Sequence, residues 1–134
     1  MQIDRLSMVY DADGGLRGEF SYLIGMMRGR HCALCDITHS GIRRKRTFDD
    51  LTCSLSMPVE VVHRNEQDPG LARFTAAEGG GAVVVAHTGA GMKVLMDDRA
   101  LADCHGDVDA FARELSSRLA DLEAEPARET PSWQ

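Results

Sequence analysis

The amino-acid sequence predicts a single α/β domain built around a central mixed sheet. The chain has 134 residues, of which 43% are hydrophobic and 27% are charged, and these values are typical of one globular domain. Short apolar runs of strand length alternate with segments in which apolar residues recur at helical spacing. The predicted order is strand, helix, helix, strand, short helix, strand, strand, helix.

One strand and two helices are predicted in the first third of the chain. The segment Ile3 to Tyr10 ends in an apolar Met-Val-Tyr, which is typical of a strand. Asp13 is expected to cap the first helix, whose apolar residues recur at helical spacing: Leu16, Phe20, Leu23, Ile24 and Met27. A weaker helix is predicted over residues 34–42, and Thr47 is expected to cap its continuation.

The second half of the chain carries the remaining strands and the last helix. Residues 59–62, after Pro58, are rich in valine and predict a strand, followed by a polar loop at 63–70. Residues 82–86 form a continuous apolar run typical of a buried strand. They are expected to pair as a hairpin with residues 92–96. Asp107 is expected to cap the last helix, whose apolar stripe is Phe111, Leu115, Leu119 and Leu122.

Joined in one sheet, these elements make a β-α-β unit followed by a β-β-α unit. That arrangement resembles the thioredoxin fold and predicts a sandwich with helices around the mixed sheet. The domain is expected to cover residues 1–124. Residues 125–134 carry two prolines and no periodicity, so we expect a flexible C-terminal tail.

Charge and hydropathy limit the partners. The chain has 15 Lys and Arg against 21 Asp and Glu, a net charge of −6. Nucleic-acid binding is not expected, because it needs clustered cations and the basic run at residues 43–46 is isolated. No membrane association is expected, since the longest apolar run is far short of the ~20 residues of a membrane helix. The N-terminus shows no signal-peptide pattern, so we expect a cytoplasmic protein.

The densest chemistry lies around the pair Cys32 and Cys35. Two intervening residues let the sulfurs meet in a disulfide, and cytosolic thiols stay reduced unless they are catalytic or bind metal. A helix starting here would stabilise a Cys32 thiolate as the attacking group, with Cys35 as the resolving partner. His31 and His39 flank the pair, and one of them is expected to tune the thiolate. His39 is four residues from Cys35, as on one helical face. This pattern predicts thiol-disulfide or redox-sensing chemistry with a protein or small-molecule thiol partner.

A non-catalytic metal site is the alternative for the same residues. Cys32, Cys35 and His39 form a C-x2-C-x3-H pattern, and His31 can add a fourth ligand for zinc or another transition metal. A purely structural role as small apolar residues also remains open. Cys53 and Cys104 are expected to be buried packing residues, or at most a distant fourth ligand of that metal site.

A third hypothesis rests on two aspartates after the first strand. Asp11 and Asp13 resemble the first motif of haloacid-dehalogenase-type phosphatases, in which the first Asp is a nucleophile and the second an acid or base beside magnesium. Lys93 and the Asp97-Asp98 pair would supply the later motifs. Gly15 departs from the pattern, because that family has a hydroxyl residue there.

Three segments also resemble a largely uncharacterised family of small proteins found in bacteria and plants. They are Tyr-x-Ala-Asp-x-Gly at residues 10–15, Cys-x-Leu-Cys-x-x-Thr-His at 32–39 and His-Arg-x-Glu at 63–66. Some members of that family are loosely labelled GTPases, but this sequence has no phosphate loop. The resemblance implies a site at the cysteine pair. Tyr10, Asp13 and Arg64 are its candidate neighbours, because strand ends in such sheets face the crevice.

Overall fold

The computed structural model describes residues 1–11, 33–40 and 43–125. The strands, in chain order, are β1 (Ile3–Tyr10), β2 (His39–Ser40), β3 (Arg43–Arg44), β4 (Val59–His63), β5 (Val83–Thr88) and β6 (Gly91–Met96). The helices are α1 (Ala33–Thr38), α2 (Arg46–Ser54), α3 (Pro69–Ala77), α4 (Asp98–Ala102) and α5 (Val108–Ala124), with a 3-10 helix at Arg64–Glu66. The helix predicted after Asp13 and the predicted tail from residue 126 onward lie outside the described residues.

The four longer strands form one mixed sheet in the order β4-β1-β5-β6, as the α/β prediction requires. β1 and β4 are parallel and in register up to the pair Tyr10 and His63. β5 is antiparallel to both of its neighbours, so β1, β4 and β6 run in the same direction. Their carboxyl ends therefore lie at one edge of the sheet, which we call the carboxyl edge, and β5 begins there.

Helices cover both faces of this sheet. The larger core contains Leu6, Met8 and Tyr10 of β1 together with buried residues of α1, α4 and α5. The predicted stripe of α5 is confirmed, since Phe111, Leu115, Leu119 and Leu122 are all buried. The smaller core lies on the other face, where Leu71 of α3 packs with Val9, Val83 and Val85. Alternate residues of β1 thus enter different cores, as the pleat of a strand requires.

Short polar contacts set the turns and helix starts of the second half. The predicted turn at residues 88–91 is confirmed: the Thr88 hydroxyl accepts the Ala90 N–H and donates to the Gly91 carbonyl. Gly91 has a φ of 113°, which only glycine adopts readily. Asp107 caps α5 as predicted, and Asp97 caps α4, a helix that the periodicity missed because it has only five residues.

Three predicted boundaries are wrong. α1 ends at Thr38 rather than residue 42, because β2 and β3 pair as a small ribbon and the Lys45 N–H donates to the Thr38 carbonyl. α2 starts at Arg46 with Lys45 as its N-cap residue, so Thr47 lies inside the first turn and caps nothing. The predicted loop at residues 63–70 contains the 3-10 helix and the start of α3, whose N-cap is Asp68.

No helix within the described ranges combines the length and apolar character needed to cross a membrane.

Candidate functional site

Tyr10 and His63 meet at the carboxyl edge. They are the last paired residues of β1 and β4, so their side chains leave the sheet side by side. Their ring centroids are 5.0 Å apart, and the planes are inclined by 64° in an edge-on contact. Such a contact favours a fixed relative orientation of the two rings. The parallel pairing of β1 and β4 thus brings together residues 53 positions apart in sequence.

A pair of hydroxyl groups attaches α1 to the end of β1. The Tyr10 hydroxyl lies 2.8 Å from Thr38 Oγ1, and Thr38 in turn donates to the Cys35 carbonyl at 3.3 Å. Tyr10 is 4% exposed and Thr38 is fully buried, so these bonds are shielded from water. Cys35 is 5% exposed and belongs to the larger core. The helix that carries the second cysteine is therefore held against the carboxyl edge.

Glu66 fixes the imidazole of His63. Its Oε1 lies 2.6 Å from His63 Nδ1 and also accepts the backbone N–H of His63 at 2.8 Å. The two form a capping box at the start of the 3-10 helix. The backbone hydrogen bond, followed by the side-chain bond, lowers the pKa of the Glu66 carboxyl. Glu66 is therefore ionised at neutral pH.

Charged residues surround the same edge. Arg64 donates to Asp11 at 3.5 Å, and both side chains are exposed. Burial, the Asp11 charge and the Asp97 charge raise the pKa of the Asp98 carboxyl, while a hydrogen bond from the Ala82 backbone opposes this. The ends of β1 and β6 thus bring carboxylates close enough to repel each other.

A cavity of about 610 Å³ opens beside Asp98 on the β6 side of the edge. Its lining includes the Gly79 to Gly81 segment before β5 and the side chains of Arg99 and Arg118. Arg118 also donates to the Leu95 carbonyl at 2.7 Å, so this guanidinium covers part of the outer edge of β6. This cavity therefore carries both charge signs.

The predicted site residues are only partly placed. Tyr10 and Arg64 lie at the carboxyl edge, and Tyr10 is linked to the Cys35 carbonyl through the Thr38 hydroxyl. His39 begins β2, where its backbone pairs with Arg44, so it does not share a helix with Cys35. His31, Cys32 and Asp13 lie outside the described residues. Among the described residues, no group of three His, Cys, Asp or Glu side chains could hold a metal ion.

The other two cysteines differ from each other. Cys104 is buried in the larger core as predicted, and its thiol is 3.6 Å from the Ala100 carbonyl. Burial, with nearby acidic groups, raises the pKa of the Cys104 thiol. The prediction that Cys53 is buried is wrong, because α2 turns Phe48 into the core and leaves Cys53 exposed. The two positions are five apart, which is well off one helical face.

The residues assembled for the phosphatase hypothesis lie at different levels of the sheet. Asp11 and Asp98 both lie at the carboxyl edge. Lys93 pairs with Ala86, which pairs with Leu6, so Lys93 is level with a residue five positions before Asp11. At about 3.3 Å per residue this places the Lys93 backbone roughly 16 Å below the edge. A lysine there does not serve a phosphate held at Asp11.

Sequence reasoning missed a network of polar side chains on the face of the sheet that α3 covers. The fully buried Ser7 hydroxyl lies 2.5 Å from Glu60 Oε1 and 2.7 Å from His87 Nε2, while Arg5 donates to the same Glu60 oxygen. The Ser7 hydroxyl donates its hydrogen to Glu60, so His87 donates to Ser7 through Nε2. The only sequence signal was a serine inside an apolar strand, and its partners lie on two other strands.

No known protein family model, curated protein or solved structure matches this chain. Its function must therefore be argued from the residues themselves.

Proposed function

We propose that this chain is a thiol-disulfide protein, redox-active or redox-sensing, which uses the pair Cys32 and Cys35. Cys32 attacks a disulfide of a partner, and Cys35 resolves the mixed disulfide, with His31 and His39 close in sequence. The observation that carries the proposal is the attachment of the Cys35 helix to the carboxyl edge through Tyr10 and Thr38. A resolving thiol must lie within reach of the mixed disulfide, and this attachment holds the Cys35 backbone at the end of β1.

The burial of Cys35 supports its role as the resolving residue. An attacking thiol must reach its substrate, whereas a resolving thiol acts only within the mixed disulfide. At 5% exposed, Cys35 suits the second task. In the complete reaction, the partner disulfide gains two electrons and two protons and becomes two thiols. The Cys32 and Cys35 thiols lose them and become a disulfide.

The fold and family assignments belong to the same proposal. The sheet joins a parallel β1/β4 pair to the β5/β6 hairpin followed by α5, which supports a thioredoxin-like topology. Each of the three family-like segments supplies one residue to a single group of contacts. Tyr10 hydrogen bonds to Thr38 and packs against the ring of His63. This supports membership of the bacterial and plant family that the segments resemble. A cytoplasmic location suits the chemistry, since thiols there stay reduced between turnovers.

Thiol counting combined with element analysis tests the proposal. We expect protein purified without added metal to lose two thiols on mild oxidation. Cys32→Ser and Cys35→Ser should each abolish this paired loss, while the control Cys53→Ser should keep it and lower only the total count. Stoichiometric zinc that disappears in Cys32→Ser would replace the redox proposal by the metal alternative, with His39 and His31 as further ligands.

A phosphatase assay decides the third hypothesis with the same preparations. Under the thiol proposal, Asp11→Asn leaves disulfide formation unchanged, and no magnesium-dependent phosphatase activity is expected. Phosphatase activity that is lost in Asp11→Asn and kept in both cysteine variants would contradict the proposal.

A further inference from the structure

The cavity beside Asp98 is large enough for a small organic molecule. Its volume of about 610 Å³ lies within the range of about 300–1,000 Å³ that ligand sites occupy. Ala82, Val83 and Val94 supply its apolar lining, and charged side chains line much of the remainder. The cavity therefore has room for a ligand that carries both apolar and charged groups.

Asp98 and Arg99 line this cavity without an ion-pair partner. They are adjacent in sequence, yet within the described part of the chain they pair neither with each other nor with any other charged group. Arg118, in contrast, donates to Glu114 and to the Leu95 carbonyl, both at 2.7 Å. Asp98 and Arg99 are therefore each available to bind a group of opposite charge on a ligand.

The Asp98 side chain is held against the loop that precedes β5. The Ala82 N–H donates a hydrogen bond to its carboxylate. Gly81 permits this approach, because a Cβ there would lie only 3.0 Å from the Asp98 Cβ and 3.2 Å from its Cγ. A carboxylate fixed in this way loses little conformational entropy when it binds a cation. A cation would also offset the repulsion from Asp11 and Asp97, which raises the pKa of the Asp98 carboxyl together with burial.

The C-terminal end of α3 adds negative charge to the same cavity. Thr75, in the last turn of α3, and Glu78, its C-cap residue, both line the cavity, and no basic residue lies in that turn. The last carbonyls of a helix carry a partial negative charge, which favours a cation nearby. Together with the carboxylates of Glu78 and Asp98 they favour an ammonium group on a ligand, whereas Arg99 favours a carboxylate.

We propose that this cavity binds a small zwitterion, in which an ammonium group and a carboxylate are joined by a short apolar segment. Asp98 and Glu78 bind the ammonium group, Arg99 binds the carboxylate, and Val83 and Val94 contact the apolar segment. A free α-amino acid and a short peptide both have this chemistry. None of these groups is a thiol, so the binding does not depend on the thiol-disulfide chemistry.

An NMR chemical-shift titration of the full chain at neutral pH tests this binding. L-valine and L-valyl-L-valine are added separately up to millimolar concentration, and the shifted amides should include those of Gly79, Gly80 and Gly81. The zwitterion that binds is then compared with its N-acetyl derivative, which lacks the ammonium group, and with its amide, which lacks the carboxylate. Each derivative should bind at least ~10-fold more weakly, because it loses hydrogen bonds between charged groups.

Three variants assign the two charges of the ligand to residues. Asp98→Asn should weaken binding of the zwitterion at least ~10-fold but leave the affinity for the N-acetyl derivative unchanged. Arg99→Gln should weaken it similarly and leave the affinity for the amide unchanged. Gly81→Ala should act like Asp98→Asn although it keeps the carboxylate, because the added methyl group displaces the Asp98 side chain. The controls Asp103→Asn and Arg113→Gln remove exposed charges outside the cavity and should leave binding unchanged.

Each outcome decides the proposal and leaves the thiol chemistry untouched. Binding of valine, of the dipeptide or of both, with the expected losses, supports a zwitterion site and shows which source it accepts. Binding of neither, equal binding of the blocked derivatives, or shifts confined to residues outside the cavity would overturn it. Unchanged affinity in Asp98→Asn, Arg99→Gln or Gly81→Ala would also overturn it. An equal loss in the two control variants would show a general effect of charge and reject the site.

Discussion

Replacing Tyr10 by Phe should weaken the attachment of α1 to the sheet by about 1 kcal/mol. The change removes the hydrogen bond, 2.8 Å long, between the buried hydroxyl groups of Tyr10 and Thr38. A neutral bond of this kind contributes about 0.5–1.5 kcal/mol net. Thr38 keeps its bond to the Cys35 carbonyl, so its buried hydroxyl still has a hydrogen-bond partner. For a domain of this size the loss corresponds to a fall in Tm of about 3–5 °C.

A double-mutant cycle measures the interaction itself. The free energy of unfolding in urea is compared among wild type, Tyr10→Phe, Thr38→Val and the double variant. We expect a coupling energy of about 1 kcal/mol, since residues in one hydrogen-bond network are not additive. The matched control is Thr52→Val, because Thr52 donates to the carbonyl three residues earlier in α2 but does not bond to Tyr10. Tyr10→Phe and Thr52→Val should be additive.

The reactivity of Cys35 gives a second measure of the same attachment. A looser α1 exposes Cys35 more often, so alkylation of this thiol should accelerate about 5-fold for 1 kcal/mol when opening is local. Additive free energies in the Tyr10 and Thr38 cycle, together with an unchanged alkylation rate, would refute the reasoning that these hydroxyls hold the helix in place.

Three further predictions concern titratable groups away from Tyr10. Burial and the Arg5 charge lower the pKa of His87 below 6.5, so folding stability should fall as pH drops below about 6.5. In the variant His87→Gln, which still donates to Ser7, the free energy of unfolding in urea should show no such fall. The raised pKa of Asp98 means that its ionisation opposes folding, so the stability of Asp98→Asn relative to wild type should increase from about pH 3 to about pH 7. Native protein treated with iodoacetamide should be modified at the exposed Cys53 well before the buried Cys104. Similar rates at the two, resolved by peptide mass spectrometry, would contradict the burial of Cys104 in the larger core.

Local patterns in the sequence predicted the four strands of the main sheet and the last helix well. The β5/β6 hairpin follows from a turn that needs glycine at residue 91, and α5 follows from its apolar stripe and the Asp107 cap. Both signals lie within a few neighbouring residues, where dihedral preference and periodicity act. The end of α1 was not predictable in this way, because pairing of β2 with β3 and a bond from Lys45 decide it.

The candidate site was predictable only as separate segments. The C-x-x-C spacing and the resemblance pointed to Cys35, Tyr10 and Arg64, but the contact of Tyr10 with Thr38 joins positions 28 apart. The contact of Tyr10 with His63 depends on the register of two parallel strands. Such contacts depend on tertiary pairing, and no local pattern encodes them. The Glu66 and His63 pair did leave a local trace, since a carboxylate three residues after the strand end is the capping-box spacing.

A redox titration of the Cys32 and Cys35 pair tests the central claim most directly. The protein is equilibrated with glutathione buffers of graded potential, and the oxidised fraction of the segment carrying both cysteines is measured by mass spectrometry. The thiol proposal predicts a single two-electron transition to an intrachain disulfide, at a potential of about −120 to −270 mV, the range of dithiol oxidoreductases. A pair that forms no intrachain disulfide at any potential, or forms one only after zinc is removed, would contradict it.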